Sequence, residues 1–218
     1  MSKPQDFSPE AHATLLAELM QLLNVSLDAQ TLQRMAAYVA LVVTWNKRLD
    51  LTAAKGARAQ LEVLLADALV LARTELIPNL SRCLDVGSGA GAPALPLLLA
   101  RADLNATLLE PLRKRVAFLR TAVGTLQLVQ RSVIIEAKLD LAAPEAPGAA
   151  VDVALSRATF APEVWLSAAL QLAPRALVLL AGQAEPAAPA GSALVHTHAY
   201  ELPWSRAARR IAVYERRS

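Results

Sequence analysis

Apolar residues recur at helical spacing through the first third of the chain, then give way to short apolar runs separated by helical stretches. Ser8-Pro9-Glu10 is predicted to be an N-cap with proline at the first helical position, opening a helix to about Leu23. Asp28 caps a second predicted helix, which carries Leu32, Met35, Ala36, Val39, Leu41 and Val42 at helical spacing to about Lys47. A polar break from Thr52 to Arg58 precedes a third, about Ala59 to Leu76, which Pro78 ends. From Arg82 the pattern changes. Strands are predicted near 82–86, 105–109, 130–136, 151–155, 175–181, 192–199 and 209–215, with helices near 93–102, 112–126 and 161–173. Ala142 to Ala150 and Gln183 to Gly191, rich in alanine, proline and glycine, are loops. Leu202-Pro203-Trp204-Ser205 leaves room only for a turn, so the last two strands should pair as an antiparallel hairpin. The alternation predicts an α/β fold over residues 80–218, a seven-stranded, mostly parallel sheet with an antiparallel last strand. Residues 1–79 form an N-terminal helical extension to it.

A chain of 218 residues is long enough to bury a substantial core, and with aromatics at 4% that core is aliphatic. The apolar run Ala92 to Ala100 is too short, and holds too many prolines, to cross a membrane. Met1 to Asp6 lacks the charged-then-apolar pattern of a signal peptide, and the single cysteine, Cys83, falls inside the first predicted strand. A cytoplasmic, disulfide-free monomer with no membrane partner is expected. His12, His196 and His198 are too scattered to make a metal site, so none is expected. The net charge of +3 is uneven. Arg113-Lys114-Arg115 with Arg120 forms one basic group, and Arg206, Arg209, Arg210, Arg216 and Arg217 another. Such groups suit a nucleic-acid backbone, or equally a solvated helix face and a basic tail. No aromatic interleaving marks a base-stacking surface.

The candidate chemistry lies in Asp85-Val86-Gly87-Ser88-Gly89-Ala90-Gly91, between the first strand and the helix after it. Glycines there let the backbone turn sharply and approach a ligand. The next strand, Ala106-Thr107-Leu108-Leu109, ends in Glu110, which is placed to accept hydrogen bonds from the hydroxyls of a ribose. Glycine turn, helix and acid-tipped strand together describe a nucleoside cofactor site. A dinucleotide turn usually reads G-x-G-x-x-G, with the helix end open to a pyrophosphate. Here the glycines alternate and Asp85 precedes them, which suits a ligand with an amino group and a sulfonium better than a pyrophosphate. The D-x-G-x-G-x-G form resembles the first motif of the class I, Rossmann-like methyltransferases, which use S-adenosylmethionine. A structural turn with no ligand, and Glu110 as a solvated strand end, is the alternative.

Further motifs resemble the RsmG (GidB) family of bacterial small-subunit ribosomal RNA methyltransferases, from about Leu32 to Arg216. Trp45-Asn46-Lys47-Arg48-Leu49-Asp50-Leu51-Thr52 is similar to the family's W-N-K-x-x-N-L-T. Arg82 to Gly91 is similar to its cofactor turn, and Leu108-Leu109-Glu110 through Arg120 to its L-L-D-S-x-x-K-R-x-x-F-L-R. Ser156-Arg157-Ala158 matches its S-R-A. Departures are Gly91-Ala92-Pro93-Ala94-Leu95-Pro96 for G-F-P-G-I-P, and Leu64-Leu65-Ala66-Asp67-Ala68 for H-x-x-D-S. Two more are Lys138-Leu139-Asp140 for R-A-E, and Ala181-Gly182 for K-G.

The resemblance implies methyl transfer from S-adenosylmethionine to N7 of a guanine, with ribosomal RNA or the small ribosomal subunit as partner. It implies that Asp85, Gly87, Ser88, Gly89 and Gly91 hold the methionine end, Glu110 the ribose, and Leu139 and Asp140 the adenine. Arg157 is the candidate catalytic residue, at the methionine carboxylate or an RNA phosphate, or else a structural ion pair. Lys114, Arg115 and Arg120 are the candidate RNA contacts, although Val116, Phe118 and Leu119 give the same helix a buried face. Asp67 is placed as a structural partner of a basic group. Three alternatives stand beside this reading: a paralogue with another acceptor, a non-catalytic RNA- or protein-binding relative, and a dinucleotide oxidoreductase.

Overall fold

The computed structural model describes residues 9–73 and 75–217. Helix α1 (Pro9–Leu23) ends where the pattern predicts, while its predicted cap Ser8 lies outside the described residues. Helix α2 (Ala29–Asn46) starts at Asp28, whose carboxylate accepts the Thr31 N–H at 2.8 Å. This is an ordinary side-chain cap for an orphan helical donor.

The third predicted helix differs from expectation at both ends and in the middle. It comprises α3 (Ala57–Leu61), a π-helical turn (Glu62–Ala66) and α4 (Asp67–Leu71). It stops short of Leu76 because Arg101 captures the chain where the helix would continue. The guanidinium donates to the carbonyls of Ala72 (3.1 Å) and Ile77 (3.2 Å), braced by Asp103 at 2.7 Å. A cation thus serves the carbonyls at the helix end. Leu76 and Ile77 are fully buried from a turn, which is why their apolar pattern imitates another helical turn.

Seven strands follow: β1 (Arg82–Val86), β2 (Asn105–Leu109), β3 (Ser132–Ile135), β4 (Val153–Ser156), β5 (Arg175–Leu180), β6 (Ser192–Glu201) and β7 (Ala208–Arg216). Between them lie α5 (Ala94–Ala100), α6 (Arg113–Thr125) and α7 (Pro162–Leu172). The strand order is β3-β2-β1-β4-β5-β7-β6, parallel except for β7, which runs against both β5 and β6. The predicted hairpin therefore exists, with its second strand inserted beside β5.

Alternation along each strand assigns two faces. Cys83, Leu108, Leu155, Leu177 and Ile211 enter a core built with α1 through α6, so the N-terminal helices share a core with the sheet. Leu84, Val86, Ala154, Val178 and Tyr214 face α7 and the segment around Leu139. Cys83 is buried as expected, and burial pushes its thiol up to about 12. Among the described residues no helix is long and apolar enough to cross a membrane.

Candidate cofactor site

Because β2 and β3 lie on one side of β1 and β4 and β5 on the other, the order in which strands are added to the sheet reverses at the β1–β4 boundary, although the two strands are parallel. Crevices at the carboxyl ends of strands flanking such a switch are where open α/β sheets bind ligands. The candidate residues gather there. After Val86 the chain turns through Gly87 (φ 77°), Gly89 (φ 53°) and Gly91 (φ 79°), a left-handed region that side chains rarely adopt. A Cβ on Gly87 would also lie 2.4 Å from Thr159 Oγ1, so the loop after β4 closes directly over that glycine.

The turn is pinned from three sides. The N–H groups of Gly87 and Ser88 donate to the Leu109 carbonyl at 2.8 and 3.3 Å, tying it to the end of β2. The buried Tyr38 hydroxyl of α2 donates to the Ala90 carbonyl at 2.8 Å. Ser88 Oγ donates to the Asp85 carbonyl at 2.9 Å.

Asp85 is 1% exposed, and its Oδ2 has no hydrogen-bond partner. Burial raises its carboxyl to about 7 with a push from the Glu110 charge, against the lowering effects of Ser88 and Arg157. An unpartnered buried carboxylate oxygen is costly and is normally paired. Its charge, and its place before three left-handed glycines, match a donor brought in by a ligand, an ammonium above all.

Glu110 is also buried, which removes the alternative of a solvated strand end. Its Oε2 accepts the Gly89 N–H at 2.8 Å and its Oε1 the Leu112 N–H at 3.0 Å. The carboxylate that would meet a ribose is therefore joined to the glycine turn itself. Leu139 is buried beneath a cavity of about 380 Å³ that it lines with Leu109 and Asp140. Asp140 is exposed and accepts the Ala142 N–H at 2.9 Å, a local turn bond.

Arg157, just past β4, is an ion-pair member. Its Nη1 donates to the Val63 carbonyl at 2.5 Å and to Asp67 Oδ2 at 3.1 Å. Asp67 Oδ1 accepts the Tyr200 hydroxyl at 2.6 Å, and burial and that carboxylate push the tyrosine well above its ordinary value. Both Arg157 bonds use one nitrogen, so the Nε and Nη2 donors have no protein partner among the described residues.

Lys114 and Arg120 are exposed on α6, while Arg115 donates to the Asp50 carbonyl at 2.9 Å. Val116, Phe118 and Leu119 are buried, so the helix has both faces anticipated for it. The second basic group is not one patch. Strand β7 separates Arg206, Arg209 and Arg210, at the site's end of the sheet, from Arg216 and Arg217 at the opposite end. Arg206 pairs with Glu201, and Arg210 pairs with Glu185 at 2.8 Å. A six-residue strand separation is about 20 Å, which a run of arginines in sequence does not reveal.

Sequence reasoning missed Tyr38, Thr159 and Tyr200. Tyr38 occupies the apolar stripe of α2, and nothing local distinguishes its hydroxyl from that of any core tyrosine. His196 and His198 lie on β6, and among the described residues no cluster of metal-ligating side chains occurs.

Residues 31–186 match the family model of GidB, rRNA small subunit methyltransferase G. The chain is 33% identical over 218 residues to the ribosomal RNA small subunit methyltransferase G of Anaeromyxobacter sp. (strain Fw109-5), covering 96% of this chain and 99% of that one. It is 37% identical over 166 residues to the Wolinella succinogenes protein of the same name, covering 75% and 81%. Among solved structures it is similar in fold to the yhhF protein of Escherichia coli, with TM-score 0.50 and 19% identity over 68% of this chain and 83% of that chain.

Proposed function

The chain belongs to the GidB family, the rRNA small subunit methyltransferases G, and on that premise we propose that it methylates N7 of a guanine in small-subunit ribosomal RNA, in the cytoplasm, from S-adenosylmethionine. The observation that carries the reading is the buried, unpartnered Oδ2 of Asp85 beside the glycine turn. A donor molecule of this kind supplies an electrophilic methyl group on a sulfonium, and the N7 lone pair of guanine attacks it directly. The carbon–sulfur bond breaks, its electron pair stays on sulfur, and N7 takes the positive charge. No proton moves, so no general base is needed and positioning supplies the catalysis.

The protein residues divide the work. Asp85 receives the amino group and is drawn to its ionised form by that contact. Gly87, Ser88, Gly89 and Gly91 let the backbone approach the methionine end. Glu110 exchanges or shares its backbone bonds with ribose hydroxyls, and Leu139 forms an apolar wall for the adenine, with Asp140 at its rim. Arg157, anchored through one nitrogen, keeps its remaining donors for a carboxylate or a phosphate. Lys114, Arg115 and Arg120 attract the RNA backbone, an effect that fades steeply with salt.

The test is transfer of a labelled methyl group to small-subunit particles and their bare RNA, with chemical cleavage at 7-methylguanine as the readout. Calorimetry of S-adenosylhomocysteine on the native protein and on Asp85→Ala accompanies it. Micromolar binding lost in the variant, with label on one guanine N7, is expected. Tight binding with the label on another atom, or no label, refutes the acceptor; no binding refutes the whole reading.

A further inference from the structure

The segment after β4 has a second side. While Thr159 covers Gly87, its neighbours Arg157, Ala158 and Phe160 line a cavity of about 320 Å³. That volume is at the small end of ligand sites, about 300–1,000 Å³. Its other walls come from the π-helical turn, the ends of β5 and β6 and the start of β7.

Three features of this chamber are unexplained by the cofactor site. Phe160 is held flat against Trp165, with ring centroids 5.9 Å apart and planes within 10°, which makes a fixed aromatic platform. Arg209 lines the cavity and has no carboxylate partner among the described residues, only the neighbouring Ala208 carbonyl at 3.2 Å. Its neighbours Arg206 and Arg210 are both paired with glutamates. Glu62, 4% exposed, has Oε1 fixed by the N–H groups of Trp204 (2.7 Å) and Ser205 (3.1 Å), whereas Oε2 accepts no hydrogen bond among the described residues. The chamber thus combines a rigid aromatic face, a cation lacking a counterion, and a carboxylate oriented by the backbone with one oxygen to spare.

We propose that this chamber seats the acceptor guanosine, turned out of its RNA strand, with Glu62 reading the base. The inference rests on the methyltransferase reading above and names the residues that select the base. Enzymes acting on a base in a structured nucleic acid extrude it and recognise its Watson–Crick edge while stacking it on an aromatic group. Guanine carries two adjacent donors on that edge, N1–H and the N2 amino group, and a carboxylate accepts from them. Adenine offers one donor there, its N6 amino group, beside an unprotonated N1 whose lone pair is repelled by the carboxylate, and so binds less well. Holding guanine by that edge leaves N7, on the opposite edge, free to react. Phe160 supplies the stacking surface and Arg209 the phosphate contact. The Asp67–Tyr200 pair is a positioning unit that holds Arg157 where the chamber meets the end of β4.

Glu62→Gln tests this with little change of shape. One amide oxygen still accepts from Trp204 and Ser205, but the spare acceptor becomes a donor. The expected result is a fall of about 10- to 100-fold in kcat/KM for RNA methylation, with S-adenosylhomocysteine affinity and melting temperature unchanged. Phe160→Leu should lower kcat/KM with S-adenosylhomocysteine affinity intact. Calorimetry with guanosine and adenosine monophosphates, in saturating S-adenosylhomocysteine, provides an arm independent of turnover. Preference for the guanosine compound that disappears in Glu62→Gln supports the assignment. In an active native enzyme, kcat/KM within twofold for both variants overturns it. In an inactive one, failure to distinguish the two nucleotides overturns it. A native protein that shows the preference yet leaves small-subunit RNA unmethylated refutes the function and leaves the pocket standing.

Discussion

Replacing Asp85 by asparagine should make the ligand-free protein more stable, and increasingly so as pH rises. The buried carboxyl titrates at about 7 in the folded chain against an ordinary 3.8. Its folded-state value is raised, so the native protein holds a proton where the unfolded chain has released it. Stability is then greatest below about pH 4, falls as pH rises towards 7, and is level beyond. Each pKa unit corresponds to about 1.4 kcal/mol, which puts the cost of ionisation at about 4 kcal/mol near pH 8 and about 1.7 near pH 5. Asparagine does not ionise. Any unmet hydrogen bonds of its amide are the same at both pH values and cancel in the comparison. Urea unfolding of the two proteins should therefore show the stability difference moving by about 2.5 kcal/mol in favour of Asp85→Asn between these pH values. Adding S-adenosylhomocysteine at about 100 times its dissociation constant should stabilise the native protein by about 2.7 kcal/mol and leave the variant unmoved. A difference independent of pH would refute the reasoning, since it would mean that Asp85 is neither desolvated nor awaiting a cationic partner.

Two further substitutions examine the scaffold. Gly87→Ala should cost about 1–2 kcal/mol for the left-handed backbone and more for the collision with Thr159. Thr159→Ala in the same chain should restore only the second part, as read by urea midpoints. Arg101→Ala should cost about 3 kcal/mol, because it strips Asp103 and the carbonyls of Ala72 and Ile77 of a largely buried donor. Arg101 holds Asp103 well below the usual carboxylate range, so the Asp103 part of this stabilisation is complete above about pH 4 and is lost as pH falls through the lower folded-state value. Acid unfolding curves of the two proteins should accordingly draw closer at low pH without meeting, because the bonds to the two carbonyls do not titrate.

Local signals located most of the architecture. Short apolar runs placed all seven strands within a few residues, because a strand buried on one face alternates and one buried on both is apolar throughout, wherever it sits in the sheet. The Asp28 cap and the glycine turn were legible because the residue types that mark each lie within a few positions of one another. The third helix was misjudged because Leu76 and Ile77 obey burial, and burial alone does not separate a helical turn from a loop pinned by Arg101.

The sequence by itself determined the order of elements, the nucleoside-type turn and the acid at the end of β2, since propensity, periodicity and spacing act over short stretches. Tertiary structure decided what those groups face. It inserted β7 between β5 and β6 and parted the terminal arginines along its length. It joined Glu110 to Gly89 and clamped Ala90 with Tyr38 from 52 positions away. It also left Asp85 Oδ2 buried and unpaired, and brought Glu62, Phe160 and Arg209 to the lining of one cavity. Hydrogen bonds and charge–charge contacts of that kind depend on distance in space, and a residue's neighbours along the chain say nothing of them.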